Sequence, residues 1–154
     1  MMLRLRSILR DERGNSFIEM AFAAPLLATL LIGTVDISRA VATKVDVEQA
    51  AQRALERVQS KAEFKTSDIP DYVADAKDAA GAGSSASVDA WLECNNDGVH
   101  LDFDTGTCDS AAPYARYVQV NVTSSYQPLF GTRFFPGASN GSVPVNGKAV
   151  VRVQ

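Results

Sequence analysis

With 154 residues and a net charge of −3, the chain has room for a charged arm, one apolar span and a single further domain, and not for two. The charge is unevenly placed. Residues 1–13 carry four arginines against Asp11 and Glu12, whereas residues 36–154 hold 11 basic and 15 acidic side chains, which excludes the basic patch that nucleic acid would need.

Residues 17–35 form an almost wholly apolar run, F-I-E-M-A-F-A-A-P-L-L-A-T-L-L-I-G-T-V, with Glu19 as its one carboxylate. About 19 residues at 1.5 Å each give roughly 28 Å of helix, enough to cross a bilayer core. Arg4, Arg6, Arg10 and Arg13 stand before it, and positive flanks stay on the cytoplasmic side, so the rest of the chain is expected to face outward. The run is too long for the apolar core of a secretory signal, and no Ala-x-Ala site closes it. Asn15 or Ser16 is suited to cap the helix. Pro25 removes one backbone donor inside the span and is expected to bend it. Gly33 offers a small surface, although no G-x-x-x-G is present.

An acid inside such a span costs about 2.5–3.5 kcal/mol to insert unless it meets a partner or reaches the headgroup level. Gly14 lies between the charged arm and the apolar run, five residues before Glu19. A peptidase cutting after Gly14 would leave a free α-amine on Asn15, about one helical turn from the Glu19 carboxylate. Opposite charges attract strongly in low dielectric, within one chain or between neighbours.

The run from Gly14 to Glu19 followed by an apolar helix resembles the processing site of type IV prepilins. The longer run R-G-N-S-F-I-E-M-A-F-A-A-P-L-L-A-T-L-L-I-G-T-V-D-I-S-R-A, residues 13–40, is similar to TadE-like minor pilins or pseudopilins of the tight-adherence (Tad) system. That resemblance implies a leader (residues 1–14) removed by a prepilin peptidase, with Gly14 and Asn15 as the processing site and Glu19 as the assembly residue. It also implies other pilins and pilus assembly platform proteins as partners. The location implied is the bacterial inner membrane, N-terminus cytoplasmic and outer domain periplasmic, with an extracellular place in a pilus. Asn15 departs from the type IV pattern, where phenylalanine holds the first mature position.

Beyond the span (residues 15–35), apolar residues recur at Ile37, Val41, Val45, Ala51, Leu55 and Val58 with charges between, which extends the helix to about residue 60. Arg39, Asp46, Glu48, Arg53, Glu56 and Arg57 form the expected solvated face. After a polar turn, Ser67 or Asp68 caps a second helix with Pro70 in its first turn, which runs through Tyr72, Val73, Ala76 and Ala79 and stops at Gly81. From Ser84 the period changes to two. Val88, Ala90, Leu92 and Cys94 alternate with polar residues and Trp91, Asn95-Asn96-Asp97-Gly98 signals a turn with Asp-Gly at its tip, and residues 99–103 return. A strand over residues 116–126 alternates Val118, Val120 and Val122 with polar side chains. An aromatic, Gly- and Pro-rich loop follows, and residues 143–153 close the sheet through connections expected to be short and antiparallel. The expected fold is α+β: a long N-terminal transmembrane helix continuing (residues 36–60) into a pilin-like outer domain (residues 61–154) with a short second helix and a small antiparallel sheet.

Cys94 and Cys108 both fall on the outer side, where an oxidising compartment and a 15-residue ring favour a disulfide contributing about 3 kcal/mol. Asp97, Asp102, Asp104 and Asp109 lack the spacing of a calcium loop and read as turn-forming acids. His100 has no further ligands for zinc and no nucleophile beside it. No cofactor, metal or enzymatic activity is therefore expected. Two functions remain: an assembly subunit packed through its helix, or an uncleaved, single-pass anchored periplasmic domain that binds a ligand through the loop over residues 129–135, with Phe130, Phe134 and Phe135 as contacts.

Overall fold

The computed structural model describes residues 15–129, 131, 138 and 140–153. The chain divides into two compact units, Met1–Ser38 and Arg39–Gln154. The fold is α+β, as expected: α1 (Asn15–Ser60), a 3-10 turn (Thr66–Asp68), α2 (Ile69–Ala80), and strands β1 (Ser85–Cys94), β2 (Leu101–Asp102), β3 (Tyr114–Tyr126) and β4 (Val143–Arg152). Gly14 and the arm before it lie outside the described residues, as do Phe130, Phe134 and Phe135.

In the first unit the helix has no core of its own. An 18-residue window of it reaches a mean hydropathy of 1.9 with none of its residues buried. Thr29 and Thr34 turn their hydroxyls back onto the carbonyls of Leu26 (2.8 Å) and Leu30 (2.6 Å), so neither needs a donor or acceptor from outside the helix.

The second unit is a four-stranded antiparallel sheet in the order β2-β1-β3-β4. Its core joins Val47, Ala50, Ala51, Ala54, Leu55 and Val58 of α1 to Tyr72 and Ala76 of α2 and to Val88, Val118, Val120 and Val122 of the sheet. The three β3 valines are fully buried; each contributes about 1.5–3 kcal/mol relative to an exposed side chain. Phe64 stacks on Tyr72 at 5.8 Å and meets Phe103 edge-on at 5.0 Å, closing the core under the helix junction. Arg57, near the end of α1, pairs with Asp75 in the middle of α2, and Lys61, just past α1, pairs with Asp68 of the 3-10 turn at 2.7 Å.

Several expectations are corrected. The packed stripe of α1 begins at Val47 and uses three alanines, whereas Val41 and Val45 remain exposed at 57% and 42%. Alanine lets helix and sheet backbones approach closely, a contact that counting large apolar side chains passes over. The approach is closest at Gly147, where a Cβ would stand 2.5 Å from the Val47 carbonyl oxygen.

The hairpin tip is Asn95-Asn96, with φ of 55° and 54°, and Asp97 N–H donates to the Cys94 carbonyl at 3.3 Å. Both central residues are left-handed, as in a type I′ turn, Gly98 is left-handed too (φ 76°), and pairing with the return strand begins only at Leu92 and Leu101. The return strand is only Leu101–Asp102. It ends early because the Asp102 carboxylate accepts the N–H groups of Asp104 (3.1 Å) and Thr105 (2.8 Å) and the Thr105 hydroxyl (2.8 Å), which curls the chain out of the ladder. Residues 103–113 and 127–142 make the later connections, so these are long rather than short. Asp68 stands at the N-cap of α2 without capping through its side chain; that carboxylate is held by Lys61 instead.

Candidate functional site

The stretch that the sequence marks for function is the beginning of α1. The helix starts at Asn15, and Glu19 follows one turn later as an exposed residue. Around it Phe17, Ile18, Met20 and Phe22 are exposed at 81%, 57%, 65% and 78%. Leu26, Leu27, Leu30, Leu31 and Val35 continue the same exposed apolar surface. Water would be a poor solvent for it, because a contiguous apolar surface this long is stable only against lipid or other apolar helices. Between residues 16 and 35 Glu19 is the single charged side chain. Pro25 lies inside the helix, so the carbonyl four residues before it, that of Ala21, lacks its usual donor.

The processing pair is only half placed. Asn15 opens the helix, while Gly14 lies outside the described residues. Cys94 and Cys108, by contrast, are joined in a disulfide with their Cα atoms 5.7 Å apart. It closes the ring that holds the Asn95-Asn96 turn, β2 and the Asp102 turn. Within that ring the backbone and side chain of Thr105, and then the N–H of Asp104, hold the Asp102 carboxyl below its ordinary range. Lys61 likewise holds Asp68 low, and Asp68 holds Lys61 high. These carboxylates are occupied in turns and ion pairs. Among the described residues no group of three or more His, Cys, Asp or Glu side chains is placed to hold a metal ion. His100, exposed, stacks on Trp91 at 4.3 Å, so its ring serves packing on the sheet.

These features define a class: a chain with one long apolar N-terminal helix, compatible with a single-pass membrane anchor, and an α+β unit closed by a disulfide. Residues 14–55 match the family model described as TadE-like protein. The match contains the Gly14 to Glu19 run and extends to Leu55, in the packed stripe of α1, so the TadE-like resemblance read from residues 13–40 holds. No curated protein and no solved structure matches the chain.

Sequence reasoning missed two features. Gly147 sits in an alternating strand where its lack of a side chain carries no local signal; only the helix crossing above it gives it a role. The self-satisfied hydroxyls of Thr29 and Thr34 were legible in principle, since threonine in a helix has a carbonyl within reach three or four residues back.

Proposed function

We propose that the protein is a minor pilin or pseudopilin of the Tad system, cut after Gly14 by a prepilin peptidase and assembled through α1. The observation that carries this reading is the helix surface over residues 16–35, inside the TadE-like match: without a buried residue, almost wholly apolar, and bearing one carboxylate at Glu19. A lone acid in such a surface gains most from a cation delivered at the same depth. The α-amine created on Asn15 is that cation, supplied by the same chain or by a neighbour. In this reading the chain sits in the inner membrane with its N-terminus cytoplasmic and its disulfide-closed unit periplasmic. Other pilins and platform proteins cover the helix on extraction. The role is structural, with no catalytic step, cofactor or nucleic-acid partner.

Mass spectrometry of the mature N-terminus, in cells with the matching peptidase active, tests the reading. A chain beginning at Asn15 is expected. A chain still beginning at Met1 overturns it in favour of an uncleaved, membrane-anchored periplasmic domain that binds a ligand.

A further inference from the structure

Odd-numbered side chains of β1 and β3 stand on the sheet face opposite the core, because successive residues alternate. On that face Trp91 lies between His100 at 4.3 Å and Tyr117 at 5.7 Å. Tyr117 is in turn the register partner of Arg152 on β4. Beside this row, at the hairpin end of the sheet, is a cleft of about 240 Å³ lined by Glu93, Asn95, Asn96, Tyr114, Tyr117 and Arg152.

The walls of the cleft are tied together. Asn95 N–H donates to the Pro113 carbonyl at 2.8 Å, Arg152 Nη2 donates to the Tyr114 carbonyl at 3.3 Å, and Gly98 N–H donates to Glu93 Oε1 at 2.9 Å. The disulfide at Cys94 anchors the same corner. Asn95 and Asn96 are exposed, and their side-chain amides enter none of the hydrogen bonds among the described residues. Tyr114 is 55% exposed. The cleft therefore offers aromatic surface, two amides that both donate and accept, one carboxylate that accepts and one guanidinium that donates.

We infer that this cleft binds one ring of a neutral saccharide, stacked on Tyr117 and held through its hydroxyls by Asn95, Asn96 and Glu93. Each sugar hydroxyl is at once a donor and an acceptor, which matches a lining of amides with a carboxylate and a guanidinium. The C–H face of the ring supplies an apolar surface to set against Tyr117. Charge argues for a neutral ligand, since Glu93 offsets Arg152 and leaves no excess of positive charge for a phosphate or sulfate. Size agrees: about 240 Å³ lies below the roughly 300–1,000 Å³ of drug-sized sites and suits a single ring. A purely apolar ligand would desolvate the amides without pairing them. The inference concerns the second unit alone and is independent of cleavage after Gly14.

Trp91 is the single tryptophan and stacks on Tyr117, so its emission reports on the cleft. The full chain in lipid nanodiscs, which avoid glycoside detergents, is titrated with chitotriose, cellotriose and lactose, and separately with inorganic phosphate and a sulfated disaccharide. A saturable change with at least one of the three neutral sugars is expected. Asn95→Gly and Asn96→Gly should each weaken it at least tenfold, glycine being chosen because it keeps the left-handed turn. Lys148→Ala, on the same face but outside the cleft, should stay within twofold, and near-UV circular dichroism should match the parent throughout. No saturable change with any of the three sugars, a response confined to phosphate or the sulfated sugar, or undiminished affinity in both cleft variants would overturn the inference.

Discussion

Gly147 of β4 passes so close beneath Val47 of α1 that a single added carbon would come within 2.5 Å of the Val47 carbonyl oxygen and 2.7 Å of the Glu48 nitrogen. Both obstacles are helix backbone, which cannot swing aside as a side chain can. Gly147→Ala should destabilise the second unit by about 1–3 kcal/mol, the range for overpacking, despite the small gain that alanine normally brings to a strand. Urea unfolding followed by circular dichroism measures it; a midpoint equal to that of the parent would show that the helix can lift at no cost.

The disulfide between Cys94 and Cys108 closes a ring with a sequence separation of 14. Replacing both cysteines by serine should cost about 3 kcal/mol on the chain-entropy model. The loss should concentrate in the Asn95-Asn96 turn and β2, because β1 and β3 are paired over ten register positions without it. Amide hydrogen exchange should show residues 95–107 losing protection while Val118 and Val120 keep theirs.

Asp102 is held low by the backbone and hydroxyl of Thr105 and the N–H of Asp104. A carboxyl depressed in the folded state stabilises fully above its unfolded value, about 3.9, and that contribution disappears as pH falls through the lower folded value. Asp102→Asn keeps an acceptor but removes the charge, so its melting temperature should be lower than the parent's near pH 7 and converge on it as pH falls through the lower folded value. Parallel melting curves across that range would show that Asp102 is not linked to folding. Lys61 runs the other way: raised in the folded state by Asp68, its contribution is complete below about pH 10.4 and fades as pH rises through the folded value.

For Glu19, cleavage and assembly should separate. Gly14→Ala should block maturation. Glu19→Ala should still be cut, because the glycine remains, yet assemble poorly for want of an anion beside the Asn15 amine. In membrane insertion the same variant should be favoured, by less than the cost of about 2.5–3.5 kcal/mol that a charge carries at a helix centre, because Glu19 lies one turn from the helix start. Normal piliation by Glu19→Ala would remove the pairing role.

Much of the architecture was legible because it rests on period. The apolar run around Leu26, Leu27, Leu30 and Leu31 can only be lipid-facing or partner-facing, and in β3 the alternation of Val118, Val120 and Val122 with polar neighbours sets which face is buried. The match of residues 14–55 to the TadE-like model falls on the stretch whose residue order already carried the resemblance. The misses have one origin. Val47, Ala50 and Ala54 join the expected Ala51, Leu55 and Val58 in place of Val41 and Val45, because contact depends on where the sheet lies, and small side chains win where backbones come close. The turn falls within the expected run from Asn95 to Gly98, with Gly98 left-handed as Asp-Gly suggested, but the tight turn itself is at Asn95-Asn96.

By itself, then, the order of residues settled an apolar helix with one acid, a second helix stopped at Gly81, and alternating strands after it, since each follows from local period and backbone preference. Only the tertiary structure decided that Gly147 must lack a side chain and that Tyr114, Tyr117 and Arg152 share a cleft with Glu93, Asn95 and Asn96. Those relations join residues far apart in the chain, and their energies exist only once the sheet has brought them together.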